Sequence, residues 1–103
     1  MRYYPIQLDK SRNFKYGMKA ISLVEKKFKK PIMKVDMGGL TMEEMATIIW
    51  AGLVHEDKNL SVERVMDLID DYSNVTAVFD IAGEALNKAF VGDIPAEETE
   101  KNA

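Results

Sequence analysis

Residues 45–70, MATIIWAGLVHEDKNLSVERVMDLID, decide how this chain folds. The first ten, Met45 to Val54, contain one polar side chain, Thr47. A helical segment this apolar in a short chain must be covered on most of its sides, by the rest of the fold or by a partner. A charged turn, His55-Glu56-Asp57-Lys58-Asn59, ends the run, and Leu60-Ser61 starts a second amphipathic helix.

Upstream, Thr41-Met42-Glu43-Glu44 has the form of a capping box, so the helix should run from about Met42 to His55. At 100° per residue, Met42, Met45, Ala46, Ile49 and Leu53 share one face. Trp50 and Val54 flank it on one side and Ile48 on the other, an arc wider than one core contact requires. Downstream, Ser61 caps a helix with the stripe Val62, Val65, Met66 and Ile69, and Leu68 at its edge. Asp70-Asp71 is unfavourable at a helix C-terminus, so this end frays or leads straight into the next element. Ser73 or Asn74 can cap a further helix over 75–91, with Val75, Val78, Phe79, Ala82, Leu86, Ala89 and Phe90 as its stripe. Ala82-Gly83 would allow another helix to approach closely, and Gly92 is a suitable stop. Residues 93–103, DIPAEETEKNA, read as a disordered acidic tail.

Toward the N-terminus, Gly38-Gly39 is a break. Met33, Val35 and Met37 alternate, suggesting a short strand over 32–37. A helix from about Asn13 to Phe28 is predicted by Phe14, Met18, Ile21, Val24 and Phe28, and Pro31 forbids its continuation. Tyr4, Ile6 and Leu8 alternate as an edge strand containing Pro5, and residues 9–12 form a turn. The expected fold is mainly α: a small four-helix globular domain over 1–92, with a short two-stranded β element near the N-terminus.

At 103 residues, 47% of them hydrophobic and 30% charged, the chain is too apolar to be disordered. A domain this small buries only about 60–65% of its unfolded surface, so association helps it. The net charge of −3 lacks the basic surplus usual in nucleic-acid binders. The basic run Lys26-Lys27-Phe28-Lys29-Lys30 suits the negative end of a helix dipole, with a phosphate-binding patch as the alternative. No cysteine is present, which excludes disulfides, thiolate metal sites and thiol catalysis. Neither a signal-peptide run nor the ~20 apolar residues of a membrane span occurs. The expectation is a soluble intracellular protein.

Candidate chemistry is sparse. His55 is the sole histidine, and Asn59 stands where a zinc hydrolase places its second. It reads as a helix C-terminal residue. Asp57-Lys58-Asn59 resembles the start of a calcium loop, but Val62 replaces its glycine and Leu68 its final glutamate. Asp70 and Asp71 point about 100° apart on a helix and do not face one substrate. Gly38-Gly39 lacks a P-loop lysine, and Glu43-Glu44 would repel phosphate. No catalytic, cofactor-binding or metal residue is assigned. Met18, Met42, Met45 and Met66 fit helix stripes and read as core. Met33 and Met37 lie by the double glycine, where exposed methionines would suit a binder of variable helices.

Several motifs fall in a familiar order. Val24-Glu25 lies in a first helix, Ile49-Trp50-Ala51-Gly52-Leu53 in a second, and His55-Glu56-Asp57 follows as an acidic turn. Leu60-Ser61-Val62-Glu63-Arg64-Val65 opens the next helix, and Ala85-Leu86 closes the last. Over roughly residues 6–91, this order resembles the tail assembly chaperones of long-tailed, siphovirus-type bacteriophages and prophages. The resemblance implies a non-enzymatic protein of the bacterial host cytoplasm. Its client would be the tape measure protein, whose apolar surface it covers until tail tube subunits polymerise, after which it leaves. Further implied partners are the major tail tube protein and copies of the chain itself, with no nucleic acid, membrane or cofactor. Many members also have a longer frameshifted product, whose junction would fall at the acidic tail. Ile48, Trp50 and Val54 are the expected contributors to self-association or client binding, against the alternative that all three are core. A small intracellular adaptor domain without catalytic activity is the competing reading.

Overall fold

The computed structural model describes residues 4–91. The segment 92–103, including the expected stop at Gly92 and the acidic tail, lies outside the described residues.

Three helices begin where their local chemistry dictates. Helix α2, Met42–Leu53, carries the full capping box: Glu44 N–H donates to Thr41 Oγ1 at 3.1 Å, and Thr41 N–H donates to Glu44 Oε1 at 2.8 Å. Helix α3, Val62–Tyr72, starts with Arg64 N–H donating to Ser61 Oγ at 3.1 Å. Helix α4, Val75–Val91, starts with Ala77 N–H donating to Asn74 Oδ1 at 2.9 Å, which selects Asn74 over Ser73 as the cap. Ser73 ends α3, so the acidic end of that helix leads straight into α4, with Asp70 and Asp71 exposed.

Helix α2 is the axis of the molecule. It packs against helix α1 (Met18–Phe28), α3, α4 and the second strand. Ala46, Thr47, Ile48, Ile49, Ala51, Gly52 and Leu53 are all buried. Thr47, the one polar residue of the run, donates its hydroxyl to Glu43 O at 2.8 Å. From Ala46 to Leu53 the wide apolar arc is thus largely covered, from several directions, by this fold.

The N-terminal region differs from its sequence reading. The β element exists, but strand β1, Tyr4–Gln7, pairs antiparallel with β2, Ser11–Phe14, and not with residues 32–37. Arg12 and Phe14 point inward on β2, opposite Ile6 and Tyr4. A buried arginine is tolerable because its guanidinium bonds both oxygens of Asp9, at 2.9 and 3.0 Å, with Asp57 at 3.7 Å. Because Phe14 belongs to β2, α1 begins only at Met18, with Gly17 as its N-cap. Lys29 closes α1 in the left-handed conformation at φ 58°. Ile32–Lys34 forms a short 3-10 helix, whose first amide donates to Glu25 Oε2 at 2.9 Å. No described helix is long and apolar enough to cross a membrane.

Candidate interaction surface

Of the three residues expected at an interface, the structure brings none to a common open face. Ile48 is 0% exposed. Trp50, two residues on, points about 200° away from it around α2. Its indole N–H donates to Leu60 O at 2.8 Å, and Lys27 Nζ lies 5.7 Å from the ring centroid. Trp50 therefore ties α2 to the entry of α3 and is sheltered by α1. Val54 is half-buried at the C-cap of α2.

The small pair Ala51-Gly52 has a specific packing task. A Cβ placed on Gly52 would lie 2.5 Å from Tyr16 Cζ. The bare glycine lets the Tyr16 ring lie on α2, where its hydroxyl donates to Ile48 O at 2.6 Å. Phe14 stacks on the same ring at 6.0 Å between centroids. Burial pushes the Tyr16 phenol far above its ordinary value.

Exposed apolar surface is elsewhere. Met33 is 80% exposed, and Met37, Met42, Tyr72 and Phe90 are also open. Met18 and Met42, expected in the core, are exposed at 89% and 59%. The late start of α1 places Met18 in its first turn, outside the stripe, and Met42 occupies the first position of α2. Met45 and Met66 are half-buried.

Met33 and Met37 border an apolar groove of about 380 Å³ between the 3-10 segment and α4. Val35 completes one wall; Phe79, Gly83, Leu86 and Phe90 form the other, and Ile48 lies at the base. Phe79 and Phe90, read from sequence as part of the α4 core stripe, turn into this groove, whereas Val78, Ala82, Ala85 and Leu86 are buried. Gly83 does not receive a neighbouring helix: a Cβ there meets no atom within 4 Å. Open space in the middle of the groove is the result. A sequence signal existed, since Phe79, Leu86 and Phe90 form one edge of the α4 stripe, with Gly83 beside them. A second hollow, of about 400 Å³, lies at the junction of α2, α3 and α4, between Met42, Met66, Ile69 and Val75.

Among the described residues, Asn87 is the one polar residue lining the first hollow, whereas Asp70, Ser73 and Asn74 border the second at the α3–α4 junction. His55 lies beyond α2 in the following turn, where its Nε2 is 2.7 Å from Asn13 O. Glu56 accepts from the Asn13 backbone and side-chain amides at 3.0 and 3.1 Å. Partial desolvation raises the Glu56 carboxyl, but these bonds, with the charges of His55 and Arg12, hold it below its ordinary value. The hydrogen bond from Arg12 lowers Asp9 likewise. Among the described residues, no group of three histidines or carboxylates could hold a metal ion. Gly38-Gly39 forms a turn closed on Asp36, whose carboxylate accepts from Gly38 N–H at 3.1 Å. Compared with protein-family models, curated proteins and solved structures, the chain matches none.

Proposed function

We propose that this protein is an assembly chaperone of a long-tailed bacteriophage, binding and shielding the tape measure protein in the bacterial cytoplasm while the tail tube forms. It works by contact and catalyses nothing. The observation that supports this most is the groove between the 3-10 segment and α4. It is apolar, open, about three helical turns long, and edged by two methionines. Such a groove suits an amphipathic helix presenting anchors at i, i+3 or i+4, and i+7. Unbranched methionines adapt to anchors that change along a long client. The order of motifs over residues 6–91, which resembles that chaperone family, is what supports this choice of client.

Co-expression with the phage tape measure protein, affinity capture and size measurement tests this reading. The expected result is a soluble complex that forms only with this chain present. Gly83→Leu should fold and fail to capture the client, because its side chain fills open space in the groove. A tape measure protein equally soluble with and without this chain, and never captured, would refute the chaperone reading and favour the adaptor.

A further inference from the structure

The outer faces of α1 and α3 carry opposite charge. On α1, Ala20 and Val24 are buried, and Lys19, Ser22 and Lys26 lie on the opposite side of the helix. The exposed Lys29 and Lys30 continue this face, and a shallow recess of about 280 Å³ opens on it between Ser22, Glu25, Lys26 and Lys30. Glu25, the one carboxylate of α1, accepts from the Ile32 amide, so this face holds four lysines against one carboxylate. Lys27 is turned toward Trp50 and shares another recess with Glu43 and Glu44, while beyond the face Lys34 and Asp36 offset one another. On α3, Val65, Leu68 and Ile69 are buried, and the exposed Glu63, Asp67, Asp70 and Asp71 all lie on the other side, with Arg64 at its edge. Glu63 and Asp71 each stand four residues from Asp67 and repel it. Asp70 and Asp71 also oppose the helix dipole. Among the described residues, the ion pairs are those of Arg12 with Asp9 and Asp57, so neither face is neutralised in this way from within the chain. The two faces cannot meet within one copy. Helix α1 sits by Glu43 and Thr47 of α2, and α3 sits by Met42 and Ala46, about 100° round that helix, with Trp50 between them.

We propose that the lysine face of α1 docks on the carboxylate face of α3 in a second copy of this chain. The spacings match: Lys19 and Lys26 are seven residues apart, as are Glu63 and Asp70, which is about 10.5 Å along each helix. The arriving lysines relieve both the repulsion within α3 and the unfavourable charge at its C-terminus. Because the two faces differ, the contact is head to tail, and repetition closes a ring or extends a chain. None of these lysines and carboxylates lines the groove between the 3-10 segment and α4, so assembly leaves it open and does not depend on the client reading.

Sedimentation velocity of the full chain, over a concentration series at about 20 mM and about 500 mM salt, tests the proposal. At low salt the mean sedimentation coefficient should climb with concentration, and at high salt it should return to the monomer value. Lys26→Glu with Lys30→Glu turns the α1 face acidic, and Asp67→Lys with Asp70→Lys turns the α3 face basic. Each double variant alone should associate about ten- to a hundredfold more weakly than wild type. An equimolar mixture of the two should associate again, because each supplies the face the other lacks. All four positions are exposed, so Tm should stay near that of wild type, and the wild-type salt series stands without the variants. Gly83→Leu should assemble as wild type does. A wild type that stays monomeric at low salt, or whose association survives high salt, would overturn the proposal. So would a double variant that associates as wild type does, or a mixture that stays monomeric. Loss of assembly in Gly83→Leu would place the second copy in the groove and overturn it too. Client capture in co-expression succeeds or fails separately from each of these outcomes.

Discussion

Gly52→Ala is the sharpest test of the packing described above, because two effects of opposite sign meet at one atom. Alanine in a helix interior is better than glycine by about 1 kcal/mol, so propensity alone predicts a gain. The added methyl, however, would sit 2.5 Å from Tyr16 Cζ, 2.7 Å from its hydroxyl and 2.8 Å from Cε2. The ring has little room to retreat. It is 3% exposed, with Phe14 stacked on it and its hydroxyl held by Ile48 O. Overpacking of this kind costs about 1–3 kcal/mol. Displacing the ring also strands a buried hydroxyl, at about another 1–3 kcal/mol. The net expectation is a loss of about 3 kcal/mol, a large share of the ~5–15 kcal/mol that holds a typical domain. Urea unfolding followed by Trp50 fluorescence and by circular dichroism measures it. In a Tyr16→Leu background the obstruction is gone, and the same Gly52→Ala change should become neutral or mildly stabilising. A Gly52→Ala protein within 0.5 kcal/mol of wild type, or an equal loss in the Tyr16→Leu background, would refute the reasoning.

Four further outcomes are expected. Gly83→Ala, where the new methyl meets nothing, should stabilise the protein by about 0.5–1 kcal/mol in the same urea assay. Trp50→Phe keeps an apolar ring but loses the bond to Leu60 O, and should cost about 1 kcal/mol while leaving client capture intact. At alkaline pH, the unfolded chain ionises Tyr16 near its ordinary value of 10.0, whereas the buried phenol stays protonated well above it. Stability is therefore full below about pH 10 and falls as pH climbs beyond, and Tyr16→Phe should flatten that part of the Tm profile. At acid pH the sign reverses: Asp9 and Glu56 sit below their ordinary values of 3.8 and 4.5 in the folded state. Their contribution is present above about pH 4.5 and lost as pH falls through the folded-state values, and Glu56→Gln should reduce the slope of Tm below pH 4.5.

How much of this was legible in the sequence depends on how local the deciding contact is. Helices α2, α3 and α4 were readable because Thr41, Glu44, Ser61 and Asn74 bond backbone amides within three residues of themselves. Strand β2 was not. Its inward residues are Arg12 and Phe14, and the arginine is neutralised by Asp9 and, far along the chain, by Asp57. A polar-looking SRNF therefore hides a strand with a buried face. The alternation from Ile32 to Met37 misled for a related reason. Glu25 takes the Ile32 amide and Pro31 precedes it, so the chain turns as a 3-10 helix where hydropathy alone suggested an extended strand. The groove was partly legible: Met33 and Met37 were singled out as suited to an adaptable surface, but its other wall lies more than 40 residues away on α4.

The position of the apolar surplus also determines which substitutions can speak about function. The run from Met45 to Val54 invited the view that α2 offers a face to a partner, and Ile48 was part of that expectation. In the fold, Ile48 is fully buried and also forms the base of the groove. Truncating it opens a core cavity, at about 2–5 kcal/mol, and deforms the groove at once. Loss of client binding in such a variant would not separate recognition from folding. Trp50 has the same defect on the opposite side of α2, where it bonds the chain entering α3. Gly83 is different in kind. A side chain grown from Gly83 enters empty space. A change there leaves the α2 axis untouched while altering the volume of the groove. A binding defect at this position, with an unchanged unfolding midpoint, is therefore evidence about recognition in a way that no substitution on α2 can be.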